Sequence, residues 1–236
     1  MSALPPPASG ATDDREAILA RIREALRVPT PGHGESASDA PAAERARAGL
    51  PPAGRFQEES LHLFRARSEE LHTEFRLLDG KVSLEGAIRE LVADAGWKTV
   101  ATHRGALADR AALAARALGL VVHCFDDGYP AERLESCDAS FTECDALVAQ
   151  TGSVLLTSRS AGGRALSVLP PHHVVLARRD QLVGDLYEAY ELVKRRYTPG
   201  FPSMIALVTG PSRTGDIERM IVLGAHGPKR LTVLCL

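Results

Sequence analysis

The sequence predicts an α/β fold of three layers, α/β/α, with a mostly parallel sheet covered by helices on both faces. Three observations predict it. Residues 98–124 alternate a short strand (98–101), an Ala- and Leu-rich helix (107–118) stopped by Gly119, and a second apolar strand (120–124). Helix–strand alternation with short links is the pattern of a parallel sheet. Residues 204–208, Met-Ile-Ala-Leu-Val, are an unbroken apolar run of the length expected for a strand buried on both faces. Residues 180–196 put Leu182, Leu186, Ala189, Tyr190 and Val193 on the buried side of an amphipathic helix.

The remaining elements follow in order. Residues 13–27 read as a short helix, capped by Asp13 or Asp14, with Ile18, Leu19, Ile22, Ala25 and Leu26 on one side. Residues 28–54 are rich in Pro, Gly, Ala and Ser without a period, so a flexible linker is expected. The division is therefore a helix and linker over 1–54, then one α/β domain over 55–236. Residues 55–78 read as a charged helix or helix pair with Leu61, Phe64, Leu71 and Phe75 at helical spacing. Ser83 offers a cap for a helix over 84–95, and Gly96 a stop. Residues 141–150 mix polar and apolar side chains, so a short helix or turn is expected. Thr151-Gly152-Ser153 turns into a strand at 154–157. Residues 158–163 form a polar excursion, and strands are expected at 174–177 and 231–236.

Composition bounds the function. In 236 residues, 28 Lys and Arg stand against 30 Asp and Glu, for a formal net charge of −2. No basic excess points to nucleic acid or an anionic membrane. Cys124, Cys137, Cys144 and Cys235 include no Cys-x-x-Cys pair, so neither a zinc site nor an iron–sulfur cluster is expected in this chain. Asp126 and Asp127 read as solvated turn residues. The pair His172-His173 lacks a completing ligand at a known spacing. The start, Met-Ser-Ala-Leu-Pro-Pro-Pro, is unlike a signal peptide, and no run approaches the ~20 apolar residues of a membrane span. A cytoplasmic protein is the expectation.

The chemistry concentrates after residue 208. Thr209-Gly210-Pro211 forces a turn, and Ser212, Arg213 and Thr214 follow beside Gly215, with Asp216 placed to cap the next segment. A loop beyond the carboxyl end of a parallel strand is where open α/β sheets bind ligands. Two hydroxyls, a guanidinium fork and free amides suit a carboxylate or phosphate. The alternative is a polar turn in which Arg213 pairs with Asp216 or Glu218. Arg164, at the end of the excursion, is placed to close over a ligand, and His226 is expected nearby.

Three segments together resemble a known family. They are residues 145–156 (DALVAQTGSVLL), 163–170 (GRALSVLP) with His173-Val-Val, and 210–218 (GPSRTGDIE) with 224–228 (GAHGP). In this order they resemble the lactate utilisation protein C family, whose shared module is the LUD domain, over residues 83–236. The resemblance implies a fold similar to the sugar-phosphate isomerase and coenzyme A transferase group. Gly152, Ser153, Arg164, Ser212, Arg213 and Thr214 are the ligand-binding candidates. Two departures stand out: Gln150 where relatives often carry an acid, and Gly215 where Ala is common.

The resemblance implies a role in bacterial use of L-lactate beside two iron–sulfur proteins that oxidise it to pyruvate. This chain carries no flavin or nicotinamide fingerprint, so the redox centres are expected on those partners. A subunit or accessory protein with a small-anion pocket is the leading expectation. The competing one is a free-standing isomerase- or coenzyme A transferase-like enzyme, with Asp216, Glu218 or His226 as catalytic candidates. A ligand sensor is the third.

Overall fold

The computed structural model describes residues 11–25, 27, 57–80, 82–128, 130–215, 221–224 and 226–236. The chain divides into two units, Met1–Arg45 and Ala46–Leu236. In the first, helix α1 (Ala11–Ala25) carries exposed Ile18 and Ile22, and Asp13 and Asp14 lie inside it rather than before it. The expected linker lies outside the described residues.

The second unit is built on a six-stranded sheet, parallel throughout. Its spatial order is β1 (Glu74–Leu77), β12 (Arg230–Cys235), β7 (His172–Ala177), β4 (Ala139–Glu143), β2 (Thr99–Thr102) and β3 (Val121–Cys124). Side chains alternate across a strand. Along β7, Val174 and Leu176 therefore join a core with helices α3 (Leu84–Ala95) and α4 (Ala106–Ala117), while Val175 and Ala177 join the core on the opposite face. Helix α3 starts where Ser83 Oγ accepts from Gly86 N at 3.0 Å. It stops at Gly96, whose φ of 66° is left-handed. Ser83→Ala should cost about 1 kcal/mol, the usual worth of such a cap, read from chemical denaturation.

The opposite face is covered by helix α2 (Gln57–Glu70) and a second, four-stranded sheet. That sheet runs β8 (Leu182–Val183), β5 (Ala146–Val148), β6 (Ser153–Thr157), β9 (Ile205–Val208). Phe64 of α2 is fully buried and meets Phe75 edge-on, with ring centroids 5.1 Å apart. Helix α5 (Leu186–Tyr197) covers the outer face of the second sheet through Ala189, Val193 and Tyr197. A hairpin, β10 (Arg213–Gly215) with β11 (Ile221–Leu223), follows β9. Among the described residues no helix is long and apolar enough to cross a membrane.

The α/β class and the mostly parallel sheet match the expectation, and four local readings change. The run at 205–208 is not a parallel strand of the central sheet. It pairs antiparallel with β6 at the edge of the second sheet and is only partly buried. An apolar run reports burial, not direction, and this one is half covered as an edge. Where a short helix or turn is expected over 141–150, residues 141–143 and 146–148 are strand and only 149–150 turn; the polar side chains Ser140 and Thr142 of the first strand are buried with hydrogen-bond partners inside. Phe75 lies in a strand, not a helix. Helix α5 begins at Leu186, capped by Asp185, and Tyr190 is exposed rather than buried.

Candidate functional site

The direction of β9 decides where its following turn goes. Ser212 N donates to Pro228 O at 2.9 Å, and Lys229 N donates to Pro171 O at 2.8 Å. Pro171 immediately precedes β7, and Pro228 lies two residues before the start of β12. The turn therefore sits at the amino edge of the central sheet, not at the carboxyl edge that the parallel reading required. Arg213 is exposed and its Nη2 donates to the carbonyl of Leu71, just past α2. Asp216 and Glu218 lie outside the described residues. Thr214 is in β10, opposite Val222. His226 is exposed, two residues before Pro228.

Gly152 and Ser153 lie at the same end of the second sheet. Ser153 is buried, and its hydroxyl meets Thr209 Oγ1 at 2.8 Å and Thr151 Oγ1 at 2.7 Å. Gly152 has φ 65°, and a Cβ there would stand 2.8 Å from Arg67 Cβ. It lets α2 approach the turn. The structure thus gathers Gly152, Ser153, Ser212 and Arg213 around the end of α2. Arg164 lies at the opposite end of β9, hydrogen-bonded to Ser203 O at 2.6 Å. Four strand residues at about 3.3 Å each separate the two groups.

The carboxyl edge carries a different constellation. From β2 the chain crosses to β3 on one side and then returns to β4 on the other. The gap between β2 and β4 is the switch point at which open α/β sheets form their ligand crevice. His103 and Glu143 meet there. His103 is 3% exposed. Its Nε2 accepts from Glu143 N at 3.1 Å and its Nδ1 donates to Arg104 O at 2.8 Å. Both ring nitrogens are engaged by the backbone, so His103 ties the loop after β2 to the end of β4. Glu143 Oε1 accepts from Leu107 N at 2.8 Å and Ala108 N at 3.2 Å, placing a carboxylate on the positive end of α4. Asp126 and Asp127 tie the neighbouring loop to Arg104, through its N at 2.7 Å and its Nη2 at 2.5 Å respectively.

Residues 158–164 close this corner. Gly162 has φ 64°, and a Cβ there would overlap Cβ of His103. Gly163 has φ 114° and its N donates to Ser158 O at 2.9 Å. Thr157 Oγ1 accepts from Arg159 N at 3.3 Å and from Ser160 N at 3.2 Å. Beneath the loop, Asp145 is completely buried. Its Oδ1 accepts from Arg196 Nη1 at 2.7 Å and Tyr197 Oη at 2.6 Å, while Oδ2 has no partner. Burial and the bond to Asp145 push the Tyr197 phenol up. Arg159 lies over the Tyr197 ring at 5.3 Å. The corner therefore combines the fixed carboxylates of Glu143 and Asp145 with the exposed guanidinium groups of Arg159 and Arg164.

Other candidates have other work. Gln150 is buried and its N donates to Gly184 O at 3.0 Å. His172 and His173 are strand residues, each bonded to a threonine. Cys137, Cys144 and Cys235 are core members, and burial raises the Cys144 thiol and pushes Cys235 up to about 11. Thiols held protonated this firmly are poor metal ligands. Among the described residues no three His, Cys, Asp or Glu side chains come together to hold a metal ion. Of the sequence candidates only Arg164 reaches the carboxyl edge. His103 and Glu143 were missed because 40 residues separate them. The available signal is the Thr102-His103-Arg104-Gly105 loop, which follows the strand expected at 98–101.

Comparison with known proteins agrees with this architecture. Residues 61–236 match the family model of the LUD domain. The chain is similar to Lactate utilization protein C of Deinococcus radiodurans, 38% identical over 102 residues, which are 43% of this chain and 47% of that protein. It is also similar to Lactate utilization protein C of Geobacillus sp. strain WCH70, 28% identical over 193 residues, 77% of this chain and 79% of that protein. The match thus spans about half the length of the first relative and more of the second. The crystal structure of a DUF162 family protein from Deinococcus radiodurans superposes with a TM-score of 0.58 at 25% identity, covering 77% of this chain and 99% of that one. With three quarters of its length matched by the family model, the chain belongs to the LUD domain family.

Proposed function

We propose that this protein is a cytoplasmic, non-redox component of an L-lactate utilisation system, working beside iron–sulfur proteins that carry the electrons. The observation that carries this reading is the LUD domain match over residues 61–236, together with relatives named Lactate utilization protein C. The buried, protonated cysteines are consistent with clusters held elsewhere. The protein's part is to hold a small carboxylate or phosphate, for which its exposed arginines provide the grip.

Removing the gene should abolish growth on L-lactate as sole carbon source while leaving growth on glucose intact, and the intact gene should restore it. The tagged chain should bring down coloured iron–sulfur proteins from lactate-grown cells. Unimpaired growth of the deletion strain on L-lactate would sink the reading. Glu143 favours a second reading, a free-standing isomerase- or coenzyme A transferase-like enzyme, because its carboxylate stands at the switch point. Turnover of a small carboxylate by the purified chain alone would carry that reading instead.

A further inference from the structure

We infer that residues 158–164 and 200–203 form an oxyanion site at the carboxyl edge, with Arg159 and Arg164 as its grip. It would take a small carboxylate bearing a neighbouring oxygen, or a phosphate. This rests on the proposed function for the ligand class, but its location is argued from geometry alone.

Both arginines come from one short loop and reach one neighbouring segment. Arg159 Nη2 donates to Gly200 O at 2.9 Å, and Arg164 Nη2 donates to Ser203 O at 2.6 Å. Those carbonyls are three residues apart, so they lie within about 10 Å of each other. Ser203 and Ser158 hydroxyls meet at 3.2 Å, linking the loop to the same segment. The left-handed turns at Gly162 and Gly163 carry the chain between the two arginines.

A guanidinium has five N–H donors, and one carbonyl uses one of them. Among the described residues neither Arg159 nor Arg164 forms an ion pair, whereas Arg104 and Arg196 of the same corner are neutralised by Asp127 and Asp145. Two positive charges therefore stand uncompensated beside a pair of hydroxyls. The bed beneath them is already fixed: Tyr197 stacks on Arg159 and is held by buried Asp145. A grip whose geometry is set before binding loses less freedom when the ligand arrives. The Arg fork fits the two oxygens of a carboxylate, and a serine hydroxyl suits the oxygen on the next carbon.

The test is calorimetric titration of the full chain with L-lactate, pyruvate and inorganic phosphate, run separately to tell carboxylate from phosphate. The variants are Arg159→Gln, Arg164→Gln and, as the comparator at the amino edge, Arg213→Gln. The native chain should bind at least one of the three. Arg164→Gln should weaken binding about tenfold or more, the worth of a charge-assisted hydrogen bond, with an unchanged circular dichroism spectrum. Arg159→Gln should weaken it independently, which keeps the test valid if one variant misfolds. Arg213→Gln should leave it unchanged. No binding by the native chain, or binding that survives both loop variants, would overturn the site. Loss of binding in Arg213→Gln alone would place the anion at the amino edge. Because growth on L-lactate reports on the proposed function separately, a failed site with a positive growth result removes the site only.

Discussion

Acidification from about pH 7 to about pH 4.5 is expected to cost the fold several kcal/mol, a large part of the stability of an ordinary domain. The cause is the histidine pair at the start of β7. His172 is 3% exposed, and burial together with the Arg230 charge pushes it down to about 4. His173 is fully buried, and burial with the His172 charge pushes it down to about 3. The hydrogen bonds agree with neutral rings. Thr232 donates to Glu74 Oε2 at 3.0 Å, so its oxygen accepts from His172 Nε2 at 2.8 Å, and Nδ1 of each ring has no partner. A protonated ring would bury an unpaired N–H and a charge.

The sign follows from the direction of the shift. Both folded values lie below the ordinary histidine value of about 6.5, so the unfolded chain takes up protons that the folded chain refuses. The stability from keeping the rings neutral is complete above about 6.5 and is lost as pH falls toward about 4. With two such groups the slope in that window approaches about 2.7 kcal/mol per pH unit. Urea midpoints measured across the window should fall steeply, and His173→Gln should roughly halve the slope. A midpoint that stays level between about pH 7 and about pH 5 would show that the rings are not buried as described.

Gly162→Ala should cost roughly 3 kcal/mol or more and disorder the corner. Two effects add. The residue sits at φ 64°, where a side chain costs about 1 kcal/mol. Its new Cβ would also overlap Cβ of His103, which cannot swing away because its ring bonds to both Glu143 and Arg104. Gly80→Ala isolates the first effect, since Gly80 has φ 84° and nothing within 4 Å of its would-be Cβ. Denaturation of both variants should leave Gly162→Ala less stable by roughly 2 kcal/mol, the overpacking contribution. Equal losses would mean that the loop does not press on His103.

Much of the fold was legible because local rules agreed with the tertiary answer. Ser83 and Gly96 bounded α3, and Gly119 followed α4, because caps act within one turn of chain. The strand at 139–143 was illegible because Ser140 and Thr142 are satisfied by Leu166 O and His173, partners that no local pattern displays. Strand direction is likewise a tertiary property, and the single error about β9 moved the expected site to the wrong edge. Arg164 was legible as the end of a polar, glycine-ended excursion. Arg159 was not singled out, since a charged residue in a loop is ordinarily just solvated. Only the approach of residues 200–203 gives the pair a common target.

The most direct measurement is two-dimensional amide NMR of the full chain titrated with L-lactate, and in parallel with inorganic phosphate. Shifts are expected at residues 158–164 and 200–203, fading out toward Ser212 and Arg213. Shifts centred on Ser212, Arg213 and His226, with residues 158–164 unmoved, would contradict a functional carboxyl edge.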